Sequence, residues 1–78
     1  MRKLKFEQPK CAPCKQVDEF LEEQGIEVEH INAWEKPEIA SKYRVTSCPT
    51  IIVLDNNNVV AQRIVGFKPD EIKQLKFM

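Results

Sequence analysis

Leu4 and Phe6 fall on one side of the stretch Lys3–Glu7 with charged residues between them, and this period of two predicts a strand with one buried face. Between Pro9 and Pro13 the pattern breaks for a turn. It resumes at helical spacing, with Cys14, Val17, Phe20 and Leu21 on one side, and Gly25 supplies the stop of this first helix. Ile26–Ala33 reads as a second strand carrying Val28 and Ile31, after which Pro37 opens a short helix with Ile39, Ala40 and Tyr43 on one face. Thr50–Leu54 is rich in β-branched residues, Asp55-Asn56-Asn57-Asn58 tolerates turn conformations, and Val59–Val65 completes a hairpin. Pro69 followed by Asp70 and Glu71 starts a last helix, because proline lacks the amide hydrogen that a first turn cannot use and acids favour the positive end of the dipole. Ile72 and Leu75 give that helix its apolar side. The order β-α-β-α-β-β-α fills residues 1–78 as a single α/β domain, without repeats, linkers or low-complexity segments.

Composition narrows the class of function. With 42% hydrophobic and 31% charged residues the chain has the make-up of an ordinary globular protein, and 78 residues leave room for one core. Twelve basic and twelve acidic residues cancel, so no overall field favours nucleic acid or an anionic membrane. The longest aliphatic run, Ile51 to Leu54, is far too short to cross a bilayer, and the alternating start offers no apolar stretch for a signal peptide. An odd number of cysteines, three, without a secretion signal points to the reducing cytoplasm, where a close pair serves catalysis or metal.

Cys11-Ala12-Pro13-Cys14 lies between a predicted strand and a predicted helix, which sets the first sulfur beside unpaired amide hydrogens and the positive end of the helix dipole. Both favour thiolate over thiol, so Cys11 is expected to attack. Cys14, one turn in and on the apolar side, is expected to resolve the resulting mixed disulfide. Lys10 and Lys15 add local positive potential. The same spacing also serves zinc, with Cys48 and His30 as further ligands, but zinc ribbons set their pairs in turns between short strands and repeat them, whereas here one pair precedes a helix.

Three stretches resemble the thioredoxin family, especially its short, glutaredoxin-sized members: Leu4 to Lys15 around the cysteines, Tyr43-Arg44-Val45-Thr46-Ser47-Cys48-Pro49-Thr50, and Val65-Gly66-Phe67. The resemblance spans nearly the whole chain and implies a thioredoxin-like fold, a four-stranded mixed sheet covered by helices on both faces. It implies a protein-disulfide reductase with no bound cofactor beyond the redox-active disulfide Cys11–Cys14. It also implies that Pro49 is cis and stands against the cysteine pair, and that Cys48, Thr50 and Gly66 line the substrate groove. Proline in the second intervening position, Pro13, is the thioredoxin arrangement. The Gly-Gly and acidic pattern with which glutaredoxins hold glutathione is replaced by Gly66-Phe67-Lys68-Pro69-Asp70. A glutathione-linked glutaredoxin is thus the second choice, and a metal or iron-sulfur module using Cys11, Cys14 and Cys48 the third. The implied partners are a disulfide-containing client protein, a flavin-dependent thioredoxin reductase and, among recipients, ribonucleotide reductase, with the chain a monomer.

The chain departs from the family's pattern around the pair. Six residues before the first cysteine, where the family has a buried aspartate, stands Lys5, expected to reach solvent or lose its charge and, as a further hypothesis, to steady a thiolate. Glu7 and Trp34 replace the usual tryptophan and aspartate, an exchange that would let an indole donor meet a carboxylate acceptor beside the site. Cys48 brings a third sulfur near Cys11, with packing as its simplest role. His30 and Tyr43 read as structural, and the acids Asp18, Glu19, Glu22 and Glu23 as the solvated side of the first helix.

Overall fold

A computed structural model describes residues 1–78. The elements are β1 (Arg2–Glu7), α1 (Ala12–Gln24), β2 (Glu29–Asn32), α2 (Pro37–Lys42), β3 (Thr50–Leu54), β4 (Val60–Val65) and α3 (Pro69–Lys73), which continues as a 3-10 turn, Gln74–Phe77. The sheet order is β2-β1-β3-β4, with β1 and β2 parallel and the other two pairings antiparallel. This is the expected four-stranded mixed sheet.

All five residues of β3 are buried, because this inner strand is covered on both faces. On one face Ile51, Val53 and Ile64 meet Val17 and Leu21 of α1 and Ile72 and Leu75 from the C-terminal helical segment. On the other, Leu4, Phe6, Ile52 and Leu54 meet Ala40 of α2, with Ile39 and Tyr43 at the margin. The alternation read in β1 therefore sorts its side chains. Leu4 and Phe6 face α2, and Lys5 and Glu7 face α1.

Two boundaries differ from expectation for identifiable reasons. The second strand is confined to Glu29–Asn32. The residues before it are used to end α1: Gly25, at φ 68°, donates to Glu22 O at 3.1 Å, and Ile26 N donates to Leu21 O at 2.9 Å. These bonds form a Schellman cap, closed by packing of Ile26 and Leu21 in one cluster. At the hairpin, Asp55 Oδ1 accepts from the amides of Asn57 and Val59, so pairing in β4 begins at Val60 with a register shift opposite Val53 and Leu54.

Candidate active site

The cysteine pair stands at the start of α1. Cys11 is the N-cap, in extended conformation, and its Sγ accepts from the Cys14 amide at 3.2 Å, one of the donors that a helix start leaves unpaired. Pro13 occupies the first turn, where a missing N–H costs nothing, and its ring is exposed. Cys11 and Cys14 are joined in a disulfide with their Cα atoms 5.2 Å apart. Cys11 is half-buried and Cys14 only 5% exposed, so solvent and a second molecule reach the first sulfur.

The Cys48–Pro49 peptide bond is cis, and the carbonyl oxygen of Cys48 lies 3.8 Å from Cys11 Sγ. In the disulfide form that is a packing contact, since neither bridged sulfur carries a proton. Pro49 is buried and its carbonyl accepts from Gly66 N at 2.9 Å. Gly66 itself sits at φ 84°, a backbone conformation open to glycine, and open space lies where a side chain would project. Thr50 departs from expectation. It is 1% exposed and its hydroxyl donates inward to Ser47 O at 2.7 Å, so its side chain holds the turn together instead of lining a groove. Cys48 is a free, half-buried thiol, and burial pushes its pKa above the ordinary thiol value, opposed by the charge of Lys5 and assisted by that of Glu7.

Lys5 is the largest departure. It neither snorkels nor reaches solvent: its side chain is fully buried, and its Nζ lies 2.9 Å from Glu7 Oε1 and 2.7 Å from Asp18 Oδ1. A buried ammonium persists because two carboxylates face it. Glu7 is likewise engaged away from its expected partner. Its Oε1 meets His30 Nδ1 at 2.8 Å in addition to Lys5, while the Trp34 indole is 67% exposed and makes no hydrogen bond to it. The expected Glu7–Trp34 pairing fails because Glu7 shares the α1 face of the sheet with Lys5. Trp34 lies in the turn leading to α2, lining a separate groove of about 570 Å³ with Ala33, Pro37, Val45 and Cys48. For Glu7, burial raises the carboxyl, but hydrogen bonds from His30 and then Lys5, with their charges, outweigh it and hold the pKa below the ordinary glutamate value.

A cleft of about 520 Å³ joins the two halves of the site, lined by Cys11, Cys14, Lys5, Glu7, Asp18 and Lys15 among others. Asp18 is read from the sequence as solvated helix surface, and His30 as structural or as a zinc ligand, and neither as a neighbour of Lys5 beside the pair. Yet Asp18 lies four residues after Cys14 and so on the same helical face, which is the signal that could have found it. Asp18, Glu7 and His30 place ligand atoms within 4.8 Å of one another, but the Lys5 ammonium is already the cation facing both carboxylates.

A family model described as Thioredoxin matches residues 3–76. The SPbeta prophage-derived thioredoxin-like protein YosR of Bacillus subtilis (strain 168) is 40% identical over 75 residues, covering 96% of this chain and 94% of that protein. The thioredoxin of the same organism is 40% identical over 75 residues, covering 88% of this chain and 71% of its own. Among solved structures, the glutaredoxin-like protein NrdH-redoxin from Escherichia coli, whose thioredoxin-like activity profile was the subject of its structure, superposes with a TM-score of 0.79 at 28% identity, covering 96% of this chain and 95% of that one.

Proposed function

The chain belongs to the thioredoxin family and is a thiol-disulfide oxidoreductase acting on disulfide-containing substrates, and on that premise we propose that Cys11 attacks the substrate disulfide and Cys14 resolves the intermediate. The observation that carries this assignment is the placement of Cys11 as the half-exposed N-cap of α1 with Cys14 buried one turn in. The amide of Cys14 and the helix dipole stabilise a Cys11 thiolate, and burial keeps Cys14 for the intramolecular step.

In the first step the Cys11 thiolate attacks one sulfur of a protein disulfide, forming a Cys11-linked mixed disulfide and releasing the other sulfur as a thiolate. In the second, Cys14 gives up its proton and attacks Cys11 Sγ. The bond to the client breaks, and the client leaves reduced by two electrons, with Cys11 and Cys14 bridged. The sulfur pair carries the electrons itself, and no bound cofactor takes part. The Cys48 carbonyl beside Cys11 offers an acceptor to an extended client segment, with Pro49 and Gly66 as the walls and Trp34 as the flanking apolar surface of its groove. Residues 1–78 work as one domain and as a monomer in the cytoplasm; no helix is long and apolar enough to cross a membrane.

A flavin-dependent thioredoxin reductase returns the pair to the dithiol, and ribonucleotide reductase is among the recipients. Pro13 in the second intervening position and the similarity to NrdH-redoxin, with its thioredoxin-like activity profile, support this electron source over glutathione. The test is insulin reduction by wild type and Cys11→Ser, supplied with either thioredoxin reductase or glutathione. Turnover with the reductase and its loss in Cys11→Ser is the expected result. An equally active Cys11→Ser protein would remove the assignment, and turnover with glutathione alone would make the protein a glutaredoxin.

A further inference from the structure

We propose that Asp18 accepts the proton of Cys14 when Cys14 resolves the mixed disulfide, and that Lys5 is the residue that positions it. This rests on the reading of Cys14 as the resolving cysteine and adds the group that activates it.

Cys14 is a buried thiol with an apolar side toward the core, and a buried thiol needs a nearby base to become a nucleophile at neutral pH. Asp18 follows it by four residues in α1, a spacing that sets two Cβ atoms roughly 5 to 6 Å apart on one face. Helical side chains lean toward the N-terminus, so the Asp18 carboxylate tilts back over the turn that carries Cys14. Both line the cleft that also holds Cys11.

Of the two carboxylates in that cleft, Asp18 is the one on the same helix as Cys14, one turn away, while Glu7 stands on β1 and is tied through Oε1 to Lys5 at 2.9 Å and His30 at 2.8 Å. Asp18 Oδ1 is buried and lies 2.7 Å from Lys5 Nζ, yet outside hydrogen-bond alignment with it, and no other group donates to it. The groups facing Asp18 are Lys5 and Glu7 from β1, His30 from β2 at 3.7 Å, Lys15 and Glu22 on α1, and Lys10 in the preceding turn. Lys5 fixes the carboxylate by charge from beneath. The side chain is otherwise 43% exposed, which gives the proton a way out to solvent.

The step balances as follows. The Cys14 Sγ–H proton passes to the Asp18 carboxylate, directly or through one water. The electron pair left on Cys14 Sγ forms the bond to Cys11 Sγ, the bond from Cys11 to the client sulfur breaks, and the client departs as a thiolate. Asp18 then releases its proton to water.

The test separates attack from resolution with dipyridyl disulfide as the probe, in a Cys48→Ser background that silences the third thiol. Attack by Cys11 releases one pyridinethione and resolution by Cys14 releases a second. For Asp18→Asn we expect an unchanged first phase and a second phase slowed by about 100-fold near pH 7, the low end of the usual range for losing a general base. As the pH is raised the difference should narrow, because solvent hydroxide takes over the deprotonation of Cys14. Glu22→Gln, one turn further along, should match the parent. A second phase within about twofold of the parent, or a gap that does not narrow at all with rising pH, overturns the role of Asp18 while leaving Cys14 as resolver. Release of two equivalents by Cys14→Ser would overturn the underlying reading instead. Should Asp18→Asn fail to fold around an under-paired Lys5, Lys5→Met takes its place: removing the residue that positions Asp18 should slow the second phase and leave the first unchanged, and a second phase within about twofold of the parent overturns the role of the pair.

Discussion

Lys5 and Asp18 form an ion pair between the sheet and α1, with Nζ of a fully buried lysine 2.7 Å from Oδ1 of a half-buried aspartate. The two partners are unequally placed. Deleting the lysine leaves Asp18 and Glu7, both of which reach water, whereas deleting the carboxylates leaves an ammonium that does not. Lys5→Met, which fills the same volume with apolar atoms, should cost less than removing the carboxylates, because the two carboxylates it leaves unpaired reach water and can be solvated. Asp18→Asn combined with Glu7→Gln should cost about 3 kcal/mol, the low end for an orphaned buried charge because the cleft admits some water. Urea denaturation of the three proteins measures both, and a larger loss in Lys5→Met than in the double variant would reverse the argument.

Stability should also fall in mild acid by a route that runs through Glu7. The partners of Glu7 hold its folded pKa below the unfolded value of about 4.3. A carboxylate lowered by folding contributes stability that is fully present above the unfolded pKa and is lost as pH drops through the folded one. The urea midpoint should therefore decline below about pH 4.3, and Glu7→Gln should flatten that decline. The Arg2–Glu29 pair acts in the same direction, but both side chains are about half exposed, so moderate salt should remove its share and leave that of Glu7.

What could be read in advance followed from local rules. The period of two in Lys3–Glu7, the Gly25 cap and the β-branched Thr50–Leu54 each act within a few residues, and each appears in the fold where expected. The asymmetry of the cysteine pair was legible for the same reason, because an N-cap position and a first-turn position differ in any helix. The network around Lys5 was not, since it depends on β1, α1 and β2 converging. A lysine at an inward strand position predicts a cost, and only the tertiary arrangement reveals that Asp18 and Glu7 meet it. Trp34 and Glu7 failed as a pair for a related reason. Their types were compatible, but Leu4 and Phe6 taking the α2 side puts Glu7 on the α1 face, while Trp34 stands in the turn leading to α2.

Cys48 and Cys11 lie close together and should differ sharply in reactivity. Burial raises the Cys48 thiol, while Cys11 in the reduced protein has the helix start to stabilise its thiolate. With limiting iodoacetamide at neutral pH, mass mapping should find Cys11 modified first and Cys48 hardly at all. Raising the pH beyond the ordinary thiol range should bring Cys48 into reaction, and equal labelling of the two at neutral pH would show that burial does not protect it.

Thr50 sets the position of Pro49 from behind. Its buried hydroxyl donates to Ser47 O at 2.7 Å and closes the turn that carries the cis bond to its place beside Cys11. Thr50→Val keeps the shape and the β-branch but removes the donor, and should cost about 1 kcal/mol, because Ser47 is exposed enough for water to replace part of the bond. The functional effect should exceed the stability effect in kind. A looser turn weakens the docking of a client segment against the Cys48 carbonyl, so KM for insulin reduction should rise while the first-phase rate with the small probe dipyridyl disulfide, which needs no groove, stays the same. Thr50→Ser retains the hydroxyl and should restore KM even though it loses a buried methyl group. If Thr50→Ser and Thr50→Val raised KM equally, the methyl packing and not the hydrogen bond would be what holds Pro49 against the pair.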